Sequence, residues 1–190
     1  MMIANRLVVF LVILLTNYAC QNLAPTVKEK KPNVTTRVVF LSGIIAVAYL
    51  LSGLSFYLLL QNRFVYGNQV VTNLVSAAII ALITASLCLL IVPAKNRFLT
   101  NDLKKTTLVS VFLLTIATVT QFPYTDYLTN LFVAVGMYFL FSCALSGVHT
   151  RNQIATIPPI LKGLPLDIVT LFLFYLSFSF LNGVFFNYLF

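Results

Sequence analysis

The sequence predicts an all-α integral membrane protein of six transmembrane segments, arranged as two inverted three-helix repeats. Three observations carry that expectation. First, 60% of the 190 residues are hydrophobic and only 8% are charged, with a mean hydropathy of +0.98. A soluble domain carries about 25% charged residues, so this chain has too few charges to coat a surface against water. Second, the apolar residues fall into six runs separated by short polar gaps. Third, ten of the twelve Lys and Arg residues fall in alternate gaps.

A span needs about 20 apolar residues to cross roughly 30 Å of hydrocarbon. Four runs meet this: Val38–Leu60, Val70–Val92, Tyr127–Val148 and Leu166–Phe190. The first segment, Leu7–Leu15, is cleanly apolar for nine residues before Thr16, Asn17 and Gln21. The fourth, Leu108–Thr120, is followed at once by Gln121, Phe122 and Pro123. Segments one and four are therefore expected to be short or broken.

The stretch Arg6–Lys31 also has the outline of a secretion signal, with a basic start, a short apolar core and a cysteine at position 20. Only Ala19 suits a lipoprotein cleavage site there; Tyr18 is too bulky. We expect the segment to be retained as a membrane helix, with Cys20 a small buried apolar residue.

Charge sets the expected orientation. Lys28, Lys30, Lys31, Arg37, Lys95, Arg97, Lys104, Lys105, Arg151 and Lys162 fall on one side of a six-span chain, and Arg6 and Arg63 on the other. Basic residues in short loops stay in the cytoplasm. The expectation is thus a multi-pass protein of the cell inner membrane with both termini outside the cytoplasm. The whole chain forms one membrane domain, with residues 1–95 as the first repeat and 96–190 as the second.

Segments one and four occupy corresponding places in the two repeats. Both begin Leu-Val, run apolar, turn polar and reach a proline, Pro25 or Pro123. Short segments at matching positions of inverted repeats point to a site at the membrane midplane. A helix that ends in hydrocarbon frees carbonyls that need polar partners. Candidates for such a break are Asn17, Cys20, Gln21, Asn22, Ala24 and Pro25 in the first half, and Thr118, Thr120, Gln121 and Pro123 in the second. The polar run of the first half is expected to face Thr115–Gln121 across the centre.

Other features read as structural. Ala77, Ala81 and Ala85 recur every four residues, as do Ser42 and Ala46, a spacing that lets helices approach closely in lipid. Asp167 opens the last segment, where a carboxylate suits the positive end of the helix dipole. His149 is expected in a cytoplasmic loop. No intramembrane acid, nucleotide loop, nucleophile elbow or zinc motif is evident, and the three cysteines form no C-x-x-C pair. No basic patch has a soluble domain to carry nucleic acid.

The stretch Leu131–Phe185 resembles the end of the RnfA/NqrE family, the integral-membrane subunits of Rnf and sodium-pumping NADH:quinone reductase complexes. The residues that carry the resemblance are Val135-Gly136, Arg151, Ile157-Pro158 and Lys162-Gly163. In the last segment they are Ile168, Thr170, Phe178, Phe180, Gly183 and Val184. Leu23, Pro25 and Lys30-Lys31 correspond more loosely. The resemblance implies six spans in inverted halves and membership of an ion-translocating electron-transport complex. Its partners would be other membrane, flavin and iron–sulfur subunits. The family's broken helices supply cysteines to an iron–sulfur cluster between the halves. Here Ala24 stands before Pro25, and Leu108–Pro123 holds no cysteine. A cluster usually needs four thiolates, so the chain is expected to carry no cluster or other cofactor of its own and no catalytic residue. The alternatives are a stand-alone small transporter using the two broken helices, and a structural or assembly protein.

Overall fold

The computed structural model describes residues 2–22, 34–61, 70–91, 101–121, 127–152, 158 and 163–185. Six helices account for nearly all of them: α1 (Met2–Asn22), α2 (Val34–Gln61), α3 (Val70–Ile91), α4 (Asn101–Gln121), α5 (Tyr127–Asn152) and α6 (Leu164–Phe185). No strand occurs among the described residues. Every apolar run expected to span is helical over its described residues, because in hydrocarbon only a helix satisfies its backbone within one segment. Among the described residues, Val34–Leu59, Thr72–Ile91 and Tyr127–Arg151 are long and apolar enough to cross a membrane.

Apolar side chains both fill the interior and cover the outside, unlike those of a soluble bundle. Large apolar side chains point outward: Leu7 and Leu11 on α1, Val47 and Leu58 on α2, Ile79, Ile83 and Leu90 on α3, Phe172 and Leu176 on α6. Hydroxyls and amides point inward, with Thr16, Asn17, Ser42, Ser52, Thr107, Ser110, Thr115, Thr118, Ser142 and Ser146 all buried. That arrangement suits a bilayer, where an outward Leu is at home and a polar group needs a protein partner.

Helices α1 and α4 pack against each other. Around them, α2 packs on α5, α3 packs on α2 and α4, and α6 packs on α5 and α1. Exchanging α1 with α4, α2 with α5 and α3 with α6 carries each packed pair onto another packed pair, though α6 is packed far more lightly than α3. The α2–α5 pair is antiparallel: Ser42 meets Cys143, Gly53 meets Leu131 and Phe56 meets Tyr127, so numbers rise on one helix as they fall on the other. Small residues permit the close packing. Ala77, Ala81 and Ala85 on α3 are fully buried, and a Cβ at Gly53 would lie 2.5 Å from Leu131 Cδ1.

One expectation needs correction: His149 is not in a loop, since α5 continues past it to Asn152. The helices of segments one and four, α1 and α4, each run 21 residues, about 31 Å at 1.5 Å per residue, but their apolar parts are short. That of α1 is Leu7–Gln21, and α4 opens on Asn101, Asp102, Lys104 and Lys105. Asn17, Cys20 and Gln21 lie within α1 and Thr118 and Thr120 within α4, while Asn22 and Gln121 are the last described residues of their helices. Ala24, Pro25 and Pro123 lie outside the described residues.

Candidate functional site

Two buried polar seams lie where the central helices meet their neighbours. In the first, Thr16 and Asn17 of α1 face Tyr138 and Ser142 of α5. The Thr16 hydroxyl donates back to Val12 O at 2.6 Å, the common resting place of a helical threonine. That leaves its oxygen to accept from Tyr138 OH at 3.4 Å. Asn17 Nδ2 donates to Ile13 O at 3.1 Å and to Ser142 Oγ at 3.5 Å. The contact with a carbonyl fixes the amide's orientation, since an amide oxygen there would meet another acceptor. Asn17 Oδ1 is left buried without a hydrogen-bond partner among the described residues.

The second seam joins α4 to α2. Thr118 donates to Leu114 O at 2.6 Å, so its oxygen accepts from Tyr49 OH at 3.1 Å. One turn away, Thr115 Oγ1 and Ser52 Oγ lie 2.7 Å apart. Each seam therefore pairs a tyrosine and a serine of α2 or α5 with two polar residues of α4 or α1. All eight side chains are buried. Exchanging α1 with α4 and α2 with α5 carries one seam onto the other.

The polar residues of α1 and α4 were legible as a candidate centre, but their partners were not. Asn17 and Thr118 hydrogen-bond to α5 and α2, not to each other across the centre. Cys20 is fully buried on α1. Gln21 is half-buried, and the helical positions Asn22, Thr120 and Gln121 are placed only by their backbone. Tyr49, Tyr138, Ser52 and Ser142 were missed. An aromatic hydroxyl in the middle of an apolar run was the signal that could have found them, because a buried tyrosine OH usually has a partner.

A second pair was missed as well. His149 Nδ1 lies 3.3 Å from Asp167 Oδ1, tying the end of α5 to the first turn of α6. Gly163, at φ +93°, makes the turn into α6, and Asp167 N donates to its carbonyl at 3.1 Å.

The residues do not fit an iron–sulfur cluster. The three cysteines lie on three different helices, Cys20 on α1, Cys88 on α3 and Cys143 on α5. Among the described residues no three His, Cys, Asp or Glu side chains are grouped to hold a metal. Purified, isolated chain is expected to contain no stoichiometric iron or acid-labile sulfide by elemental and colorimetric assay. Finding both would overturn this and make Cys20 the first ligand to test.

No family model, curated protein or solved structure matches the chain.

Proposed function

We propose that this chain is a six-span inner-membrane protein of two inverted halves, with both termini outside the cytoplasm. In this reading it serves as a membrane subunit of an ion-translocating electron-transport complex of the RnfA/NqrE type, without a cluster of its own. Its partners are the membrane, flavin and iron–sulfur subunits of that complex.

The observation that carries the reading is the exchange-symmetric packing. α1 and α4 meet, α2 and α5 run antiparallel, and α3 packs on α2 and α4 as α6, more lightly, packs on α5 and α1. That is the pattern expected when a three-helix unit is repeated in the opposite orientation. The residue resemblance in Leu131–Phe185 names the complex, and the separation of Lys and Arg into ten and two supports the orientation.

The buried seams favour a second reading, a stand-alone small transporter with its site between α1, α2, α4 and α5. Polar groups inside a membrane protein commonly mark a transport path. Copurification in mild detergent separates the two. The subunit reading expects flavin- and cluster-bearing proteins to travel with the chain in fixed ratio. A chain that elutes alone from gently solubilised membranes would contradict it and favour the transporter.

A further inference from the structure

α6 is held to the rest of the molecule along one narrow stripe. Asp167, Leu171, Phe174 and Tyr175 follow one another at intervals of four, three and one residues, which places them on one face of the helix. Leu171 is buried, and Phe174 stacks on Phe141 of α5 with ring centroids 6.2 Å apart. Tyr175 meets Phe10 of α1 edge-on at 5.5 Å. Around the stripe, Leu164, Ile168, Val169, Phe172, Leu173 and Leu176 are exposed. In the other half, α3 is instead set firmly against two helices, with Ala77, Ala81 and Ala85 fully buried. Each contact that α6 makes therefore carries a large share of its docking.

One of those contacts responds to pH. His149 Nδ1 lies 3.3 Å from Asp167 Oδ1, and the two side chains are 15% and 11% exposed. The pair is open enough to exchange a proton with solvent and enclosed enough to escape most of the screening of a surface pair. His149 is the only histidine in the sequence, and imidazole is the side chain whose charge ordinarily changes between pH 5 and 8. Carboxylates ordinarily titrate below that range, and thiols, phenols, ammonium and guanidinium groups above it. The other charges on the helices packed against α5 and α6 form a constant background. Arg151, two residues further along α5, is exposed. Arg37 is buried on α2 and, by the antiparallel register of α2 and α5, lies level with the same end of α5. On α4, Asp102 and Lys105 pair with each other at exposed positions, with Lys104 between them.

We propose that His149 and Asp167 form a pH-sensitive latch that holds α6 against α5 and α1. A neutral imidazole donates one hydrogen bond to the carboxylate. Uptake of a proton from solvent turns that contact into a hydrogen bond between opposite charges, the stronger kind. The latched state binds the extra proton, and loosening returns it to solvent. Acidification therefore tightens α6, and a rise in pH through the imidazole range loosens it. Phe174 and Tyr175, seven and eight residues beyond Asp167, carry the change to Phe141 and Phe10, on the two helices that form the first seam. The latch does not depend on membership of a complex, so copurification and the following test fail separately.

The test is fluorine NMR of the full-length chain in lipid nanodiscs, with 4-fluorophenylalanine incorporated throughout. The Phe174 line is identified by its loss in Phe174→Leu. The Phe56 line, on α2 beside Tyr127 and away from α6, is identified by its loss in Phe56→Leu. In the wild type the Phe174 line is expected to move in one step between pH 5 and 8, while the Phe56 line stays. In His149→Gln the step should vanish, since the amide does not change charge. In Asp167→Asn the line should hold its high-pH position although the imidazole still titrates, which separates the latch from the direct field of a nearby charge. A Phe174 line that does not move with pH in the wild type overturns the proposal. So does a step that persists in either variant, or one that appears equally at Phe56 and signals a change in the whole molecule. Should a variant fail to fold, the wild-type titration with its Phe56 control still decides.

Discussion

Gly53→Leu is expected to abolish the folded α2–α5 pair. A Cβ at this position would sit 2.5 and 2.6 Å from the two terminal methyl carbons of Leu131. A leucine end group can swing aside, but Leu131 is fully buried, so any movement presses it on its neighbours. Overpacking a filled interior costs about 1–3 kcal/mol for small additions. Even Gly53→Ala should lose stability, although alanine favours a helix interior by about 1 kcal/mol over glycine. Leucine adds three more carbons at the same place. The check is circular dichroism melting in detergent. Gly53→Ala should melt below wild type, and Gly53→Leu should not fold. The double variant Gly53→Ala with Leu131→Ala should recover part of the loss, since the second change removes the atoms that clash. No recovery would mean that something other than Leu131 sets the cost.

The tyrosines of the two seams are expected to separate packing from hydrogen bonding. Tyr49 and Tyr138 are among the largest fully buried side chains in the molecule. Truncating a buried aromatic to alanine costs about 3–5 kcal/mol. A hydrogen bond between membrane helices contributes about 0.6 kcal/mol on average. Packing should therefore dominate: Tyr49→Ala and Tyr138→Ala should be severely destabilised, while Tyr49→Phe and Tyr138→Phe lose little. Tyr49→Phe should cost more than Tyr138→Phe, because its bond is 3.1 Å against 3.4 Å. Phenylalanine variants as unstable as the alanine ones would show that the hydroxyls hold the helices together.

The extents of the helices were legible because an apolar run bounded by charges has one stable form in lipid. Val70–Val92 was expected to span, and α3 covers Val70–Ile91. Tyr127 begins both the expected fifth span and α5. The polar residues of the central helices were legible, their partners not. Thr16 and Asn17 stood out against the apolar run of segment one, yet what they face is another helix rather than lipid. A sequence does not say which face of a helix meets which neighbour, so the partners Tyr49 and Tyr138 stayed hidden. The His149–Asp167 contact was out of reach too. It spans 18 residues and depends on how α5 and α6 turn toward each other.

The inverted halves are the centre of the account, and topology tests them most directly. A reporter active only in the cytoplasm is fused at two places, after α3 at Lys95 and at the C-terminus. In the proposed topology the fusion at Lys95 should be active, since basic residues such as Lys95 and Arg97 favour the cytoplasmic side. The fusion after Phe190 should be silent, because the proposal has three further spans carrying the chain back across. An active reporter at both places would mean an even number of crossings after α3. The two halves would then not be inverted copies of each other.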